Sequence, residues 1–121
     1  MKTANPFAVV LVTAPDLKTA RGLARGALET RLVACVNLVP GIESHYLWQG
    51  RLEQSKEVLL VMKTRKARLS ALEQFVLQRH PYETPEVVSW PLDGSTAKYL
   101  DWLRESTSAQ PRRRPAIRGR A

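Results

Sequence analysis

The sequence predicts an α+β domain in which an antiparallel sheet carries its helices on one face. Three observations predict this fold. An apolar, β-branched run precedes an amphipathic helix, a long hairpin follows, and a second helix and strand then repeat the pattern. The elements come in the order β-α-β-β-α-β-α, and the first six match the split βαβ, or ferredoxin-like, arrangement.

The first predicted strand is the apolar run from Phe7 to Val12. It does not alternate with polar residues, which indicates a central strand that is covered on both faces. Asp16 is a suitable N-cap for an amphipathic helix that extends to about Arg31. Gly22 and Gly26 inside this helix cost about 1 kcal/mol each relative to alanine. We therefore expect them to allow a close approach of the helix to the sheet.

Two long strands, Val33 to Trp48 and Arg51 to Arg65, are predicted to meet in a tight turn at Gln49-Gly50, where glycine can adopt a positive φ. Pro40-Gly41 interrupts the first strand and indicates a bulge. Each arm of about 15 residues extends roughly 50 Å, whereas a domain of about 100 residues is only about 35 Å across. The aromatic hairpin tip, Tyr46 to Trp48, should therefore project and be covered by a second copy of the chain.

A second amphipathic helix is predicted from about Ala67 to Arg79, and His80-Pro81 ends it. The turn-rich segment HPYETPE leads to a short strand from Val87 to Trp90. Ser95 is the expected N-cap of a last helix with a buried apolar stripe. These elements complete the second half of the predicted fold.

The net charge of +8 is concentrated near the C-terminus. Residues 1–105 are predicted to form the domain, and the Pro-, Ser- and Arg-rich residues 106–121 are predicted to be disordered. Neither central strand carries the glycine and aromatic pattern of RNA-binding sheets, so nucleic acid is expected only as a weak partner of the tail. The basic residues of the last ten positions are Arg112, Arg113, Arg114, Arg118 and Arg120.

The composition is typical of a globular protein, with 44% hydrophobic and 25% charged residues. No apolar run reaches the roughly 20 residues of a membrane helix, and MKTANPF lacks the apolar core of a signal peptide. We therefore expect a cytoplasmic protein with no membrane partner. A single cysteine excludes an intramolecular disulfide framework. Motifs of nucleotide-binding proteins, zinc proteases and serine hydrolases are missing from the sequence, so no enzymatic activity is predicted.

Five polar residues near the ends of predicted elements are candidates for a binding site. Cys35 is either a buried structural thiol or a soft metal ligand. His80, at a helix C-terminus, either caps carbonyl groups or joins Glu83 and Glu86 as a ligand of the kind that suits copper or zinc. Lys63, which further cations follow, is either an anion ligand or part of a solvated face.

Five blocks of the sequence carry a resemblance to a known family. They are VLVTAPD at Val10–Asp16, RLVACVNLVPGIESHYLWQG at Arg31–Gly50, EVLLVMKT at Glu57–Thr64, HPYETPEVV at His80–Val88 and YLDWL at Tyr99–Leu103. With these blocks in this order and spacing, the chain resembles the CutA family of divalent-cation tolerance proteins.

This resemblance implies a ferredoxin-like subunit of a homotrimer that responds to divalent metal ions and binds copper, without a tightly bound cofactor. His80, Cys35 and Glu83 are the expected metal ligands. In the copper-binding pattern of the family, a cysteine precedes TAPD and a histidine pair precedes PY, whereas Val12 and Arg79 occupy two of these positions here. The alternative is a small-molecule or nucleotide sensor, similar to nitrogen-regulatory signal proteins, with clefts between its subunits. The expected cleft residues are Trp48, Glu57, Lys63, Tyr82 and Cys35.

Overall fold

The computed structural model describes residues 1–108, and the predicted α+β fold is confirmed in them. Four long strands form one sheet, and two short strands pair separately. The elements are β1 (Lys2–Thr3), β2 (Phe7–Ala14), α1 (Leu17–Glu29), β3 (Cys35–Trp48), β4 (Arg51–Arg65), a 3-10 turn (Lys66–Arg68), α2 (Leu69–Arg79), β5 (Val87–Pro91), β6 (Gly94–Ser95) and α3 (Ala97–Ser106). None of these helices is long and apolar enough to cross a membrane.

The main sheet has the strand order β3-β4-β2-β5, and every pair in it is antiparallel. Strand β2 is central, as its continuous apolar run predicts, because it pairs with β4 on one side and β5 on the other. The β1-β6 ladder of two residues each was not predicted, since strands this short leave no periodicity in the sequence.

The main core lies between the sheet and helices α1 and α2. Alternate residues of β2 and β4 point toward these helices, as the twofold periodicity of strands requires. A smaller core forms at one end of the sheet, where Leu100 and Leu103 of α3 pack with Phe7 and Ala34. The main core includes Val10, Val12, Leu23, Leu60, Met62, Leu72, Phe75 and Val76.

The opposite side of the sheet carries an apolar surface that belongs to neither core; we call it the open face. It is formed by side chains from all four long strands, which the antiparallel registers place side by side. Val39, Val88 and Trp90 are between 43% and 49% exposed, and the other members are half-buried. The open face comprises Leu11, Val39, Leu59, Val61, Val88 and Trp90.

The hairpin of β3 and β4 has the predicted turn and the predicted bulge. Gln49 and Gly50 have φ values of 51° and 78°, a left-handed pair that closes a two-residue turn. The register shifts between Val39, opposite Leu59, and Ile42, opposite Glu57. Two residues of β3 therefore face one residue of β4, as expected for a bulge at Pro40-Gly41.

The glycines of α1 do not have the predicted role. A Cβ atom added to Gly26 would lie 2.5 Å from Cζ of Phe75, whereas one added to Gly22 would meet nothing within 4 Å. Gly26 therefore admits a side chain of α2 and not the sheet, and Gly22 is open. The sequence periodicity identified the helix but could not identify which neighbour approaches it.

Several predicted boundaries also shift: β2 ends at Ala14, β3 begins at Cys35 and α2 begins at Leu69. Helix α1 ends at Glu29, with Thr30 as its C-cap. The N-cap of α3 is Thr96 and not Ser95, because Ser95 pairs with Lys2 in the β1-β6 ladder. Helix α3 includes Ser106, so the folded part extends beyond the predicted boundary at residue 105. The rest of the predicted tail, from residue 109, lies outside the described residues.

Candidate functional site

A cleft of about 560 Å³ lies between the β3-β4 hairpin and the segment that follows α2. Strand β2 contributes Thr13 to its floor. The residues that line the cleft are Thr13, Ser44, His45, Tyr46, Trp48, Glu53, Glu57, Tyr82, Glu83, Thr84 and Glu86. Five of the candidate residues from the sequence meet here: Trp48, Glu57, Tyr82, Glu83 and Glu86.

The bulge determines which hairpin side chains line the cleft. Before it, odd-numbered residues of β3 lie opposite odd-numbered residues of β4, as Val39 does with Leu59. Beyond the bulge, even-numbered residues of β3 lie opposite odd-numbered residues of β4, so Tyr46 lies opposite Glu53. Because side chains alternate along a strand, the bulge brings Tyr46 and Trp48 to the side of the hairpin that carries Glu53 and Glu57.

Glu57 is the central polar group of the cleft. The residue is only 7% exposed, and its Oε2 accepts a hydrogen bond of 2.9 Å from the Tyr82 hydroxyl. Among the described residues that line the cleft there are four glutamates and neither lysine nor arginine. A buried carboxylate without a positive partner costs several kcal/mol, so the cleft is electrostatically suited to a cation.

Tyr82 is held in place by His80. The backbone N–H of Tyr82 donates to Nδ1 of His80 at 3.0 Å, and Nε2 of His80 donates to the Thr13 carbonyl at 2.7 Å. The two rings also stack at a tilt, with their centroids 4.7 Å apart. Burial, with the hydrogen bond and the negative charge of Glu57, raises the pKa of Tyr82 from 10.0 to about 12. The phenol is therefore a donor to Glu57 at neutral pH.

His80 itself does not line the cleft. It is 7% exposed, and both ring nitrogens have protein partners, with the proton on Nε2 because a carbonyl oxygen only accepts. A metal ion at Nδ1 would have to displace the Tyr82 amide. In this structure His80 is a positioning residue, and its predicted role as a metal ligand stays a prediction.

Cys35 and Lys63 lie away from the cleft. They are cross-strand partners, and both contact Oδ1 of Asn37, Cys35 through Sγ at 3.6 Å and Lys63 through Nζ. Lys63 is six residues along β4 from Glu57, which corresponds to about 20 Å. Cys35 and Lys63, which were predicted as site residues, therefore do not lie with the glutamates of the cleft. Within residues 1–108, no group of three or more His, Cys, Asp and Glu side chains is close enough to hold a metal ion.

Several cleft residues were not predicted from the sequence. Glu53, Ser44 and Tyr46 are on exposed hairpin arms, where polar residues are normally unremarkable. Glu86, in contrast, was predicted with Glu83 as a ligand beside His80, and it lines the cleft. The bulge was a usable signal, because counting the side-chain alternation through Pro40-Gly41 places Tyr46 and Glu53 on one side.

Comparison with known proteins gives one family. Residues 8–106 match the family described as CutA1 divalent ion tolerance protein. A rice protein, "Protein CutA 1, chloroplastic", is 45% identical over 105 residues, covering 87% of this chain and 59% of the relative. The "Divalent-cation tolerance protein CutA" of Thermus thermophilus is 46% identical over 99 residues, covering 82% of this chain and 96% of that protein.

Solved structures agree with this similarity. The crystal structure of CutA1 from Oryza sativa superimposes with a TM-score of 0.84 at 43% identity, covering 90% of this chain and all of that one. The chain spans about three-fifths of the length of the rice relative. The family match extends from Ala8 in β2 to Ser106 at the end of α3.

Proposed function

Because the chain belongs to the CutA1 divalent ion tolerance protein family, we propose that it binds divalent cations in the acidic cleft and acts in the tolerance of metal ions. The observation that carries this proposal is the buried carboxylate of Glu57. Within the described part of the chain, it has one neutral hydrogen-bond donor, Tyr82, and no lysine or arginine beside it in the cleft. A bound cation would offset the cost of burying this charge.

The nature of the cleft also supports a choice of ion. Its ligand atoms are carboxylate oxygens and the imidazole of His45, a set that suits copper(II) among other divalent ions. Of the ligands predicted from the sequence, Glu83 lines the cleft, whereas Cys35 and His80 do not. Copper(II) is therefore proposed first, with Glu57 and Glu83 as ligands.

We further propose that the functional unit is a homotrimer. The open face and the hairpin tip support this assembly, since Leu47 is 69% exposed and Leu52 87% exposed. Large contiguous apolar surfaces are typical of protein interfaces. A neighbouring subunit could also supply ligands that complete the cleft. Within residues 1–108 of a single chain, no three metal-binding side chains lie close enough together to hold an ion.

The alternative function, a small-molecule or nucleotide sensor, receives less support. The aromatic walls formed by Tyr46, Trp48 and Tyr82 would suit an organic ligand. An anionic nucleotide, however, would meet four glutamates, and Lys63 lies outside the cleft. The proposal of a cytoplasmic protein that is not an enzyme stays a prediction, and the rice relative is named as chloroplastic.

A calorimetric titration with copper(II) tests the proposed site. Glu57→Gln keeps the shape and an acceptor for Tyr82 but removes the charge, so we expect the affinity to fall at least about tenfold, or about 1.4 kcal/mol. Glu73→Gln, an exposed glutamate on α2, is the matched control and should bind like the wild type. Equal affinities for wild type and Glu57→Gln would refute the site.

A further inference from the structure

The acidic cleft is larger than a single metal ion requires. Its volume of about 560 Å³ lies within the range of about 300–1,000 Å³ that is typical of sites for small organic molecules. Three aromatic side chains, Tyr46, Trp48 and Tyr82, line it together with four glutamates. The cleft thus joins a surface suited to hydrocarbon to a surface suited to positive charge.

The aromatic side chains of the hairpin bring exposed rings to the cleft. Tyr46 and Trp48 line it and are each 44% exposed. The stacked cations found within residues 1–108 lie on two phenylalanine rings outside the cleft, so no cation of this part of the chain covers Tyr46 or Trp48. Aromatic faces attract ammonium groups, and tryptophan does so most strongly.

Glu57 offers a carboxylate oxygen to the cleft. Its Oε2 accepts from the Tyr82 hydroxyl, whereas its Oε1 has no hydrogen-bond partner among the described residues. Within residues 1–108, every fully enclosed side-chain oxygen or nitrogen of a buried residue has a partner, so Oε1 is open to the cleft. Because Glu57 is only 7% exposed, salt screens its charge less than that of a surface glutamate.

The negative charges are spread along the cleft. Glu53 and Glu57 are four residues apart on β4, which corresponds to about 13 Å, and Glu83 and Glu86 lie in the segment after α2. Among the described residues, no three His, Cys, Asp and Glu side chains are close enough together to hold one ion. Separated charges of this kind match a ligand whose own charges are separated by a hydrocarbon chain.

We propose that the cleft binds an aliphatic polyamine, a linear hydrocarbon chain with two or more ammonium groups. The ammonium groups pair with Glu57 and with other glutamates of the cleft, and the methylene groups pack on Tyr46 and Trp48. A quaternary ammonium ion is the less suitable ligand, because it has no N–H to donate to Oε1 of Glu57. This inference rests on the cation site proposed above and names a further class of cation for it.

Calorimetric titration of the full-length chain with spermidine tests this proposal. Butylamine, which has one ammonium group, and tetramethylammonium, which has no N–H donor, are the comparison ligands, at a constant ionic strength of about 0.15 M. Trp48→Leu removes an aromatic face but keeps an apolar side chain, and Trp48→Phe restores a face. Glu57→Gln and Glu53→Gln each remove one charge from the cleft, and Glu73→Gln, exposed on α2, is their matched control.

We expect spermidine to bind at least about tenfold more tightly than either comparison ligand, because several ammonium groups engage at once. Trp48→Leu should weaken spermidine binding about 3- to 10-fold, and Trp48→Phe should stay within about twofold of the wild type. Glu57→Gln should weaken it at least about tenfold and the more exposed Glu53→Gln about threefold. Glu73→Gln should bind like the wild type.

The absence of saturable spermidine binding would overturn the proposal. Equal affinities for wild type and Trp48→Leu, or equal losses in Glu57→Gln and Glu73→Gln, would also overturn it. Butylamine or tetramethylammonium that binds as tightly as spermidine would overturn the choice of a polyamine. Thermal unfolding checks that each variant is folded, and the exposed Glu53→Gln keeps the charge test conclusive if Glu57→Gln does not fold.

Copper(II) titrated into the same proteins separates this inference from the metal site. Trp48→Leu should bind copper(II) like the wild type, because an indole ring supplies no metal ligand. Copper(II) binding without spermidine binding would reject the polyamine alone. Spermidine binding without copper(II) binding would reject the metal site alone.

Discussion

At the scale of single residues, the cleft depends on a chain of hydrogen bonds that begins in the central strand. The Thr13 carbonyl accepts from His80, His80 accepts from the Tyr82 amide, and the Tyr82 hydroxyl donates to Glu57. Each atom in this series donates or accepts as its chemistry requires. The orientation of Glu57 is therefore determined by residues of β2 and of the segment after α2.

The pH dependence of stability should reveal Tyr82. Its pKa is raised to about 12 in the folded chain from 10.0, so the folded state holds this proton more tightly than the unfolded state. The resulting stabilisation is complete below pH 10 and is lost as the pH rises from about 10 to about 12. Urea unfolding across this range should show a steeper decline for the wild type than for Tyr82→Phe, and parallel declines would contradict the assignment.

Replacing His80 distinguishes a positioning residue from a metal ligand. His80→Ala removes a buried ring and two hydrogen bonds, so we expect a loss of about 2–4 kcal/mol in the free energy of unfolding without metal. His45→Ala, at the other histidine of the chain, removes an exposed ring and should cost less than about 0.5 kcal/mol. Urea denaturation of the metal-free protein measures both values. A small loss for His80→Ala would favour a ligand role instead.

At the scale of elements, packing between α1 and α2 depends on a glycine, Gly26, which leaves space for a side chain of the other helix. Gly26 of α1 lies under the Phe75 ring of α2, and the guanidinium of Arg79 lies 4.6 Å from the centre of the same ring. The helix pair is therefore close at this position and open one turn earlier, at Gly22.

The two glycines form a matched pair for a stability experiment. Gly22→Ala should stabilise the chain by about 0.5–1 kcal/mol, because alanine favours the helix and meets no neighbour. Gly26→Ala gains the same propensity but forces Phe75 to move, and overpacking of this kind costs about 1–3 kcal/mol. Thermal or urea unfolding should therefore rank Gly22→Ala above wild type and Gly26→Ala below Gly22→Ala. Equal stabilities of the two variants would show that Phe75 adapts freely.

The periodicity of the sequence predicted the helices and strands better than it predicted the residues of the cleft. The central position of β2, the cap of α1 by Asp16 at 2.7 Å from the Thr19 amide, and the turn at Gln49-Gly50 all depend on local residue chemistry. The site depends on register between distant strands. Glu57 and Tyr82 were predicted together and do meet, whereas Lys63 faces the same side of β4 but lies too far along it.

At the scale of the whole molecule, the open face is the feature most readily tested. If it is the centre of a homotrimer, light scattering should give three times the chain mass of 13.6 kDa at micromolar concentration. Val61→Glu, in the middle of this face, should reduce the mass to that of one chain, because a charge in an apolar interface is costly. Leu77→Glu, on the exposed side of α2 and 48% exposed, should leave the assembly unchanged. A single-chain mass for the wild type would reject the trimer.

The bulge at Pro40-Gly41 acts on the hairpin as a frameshift acts on a reading frame. The added residue leaves the inner half of β3 paired as before and reverses the facing of the outer half. Loss of one residue here would restore an unbroken alternation along β3, and with the turn retained Tyr46 would still lie opposite Glu53. The loss of one codon at the bulge would therefore leave the paired residues of the hairpin tip, and the side chains that they present to the cleft, unchanged.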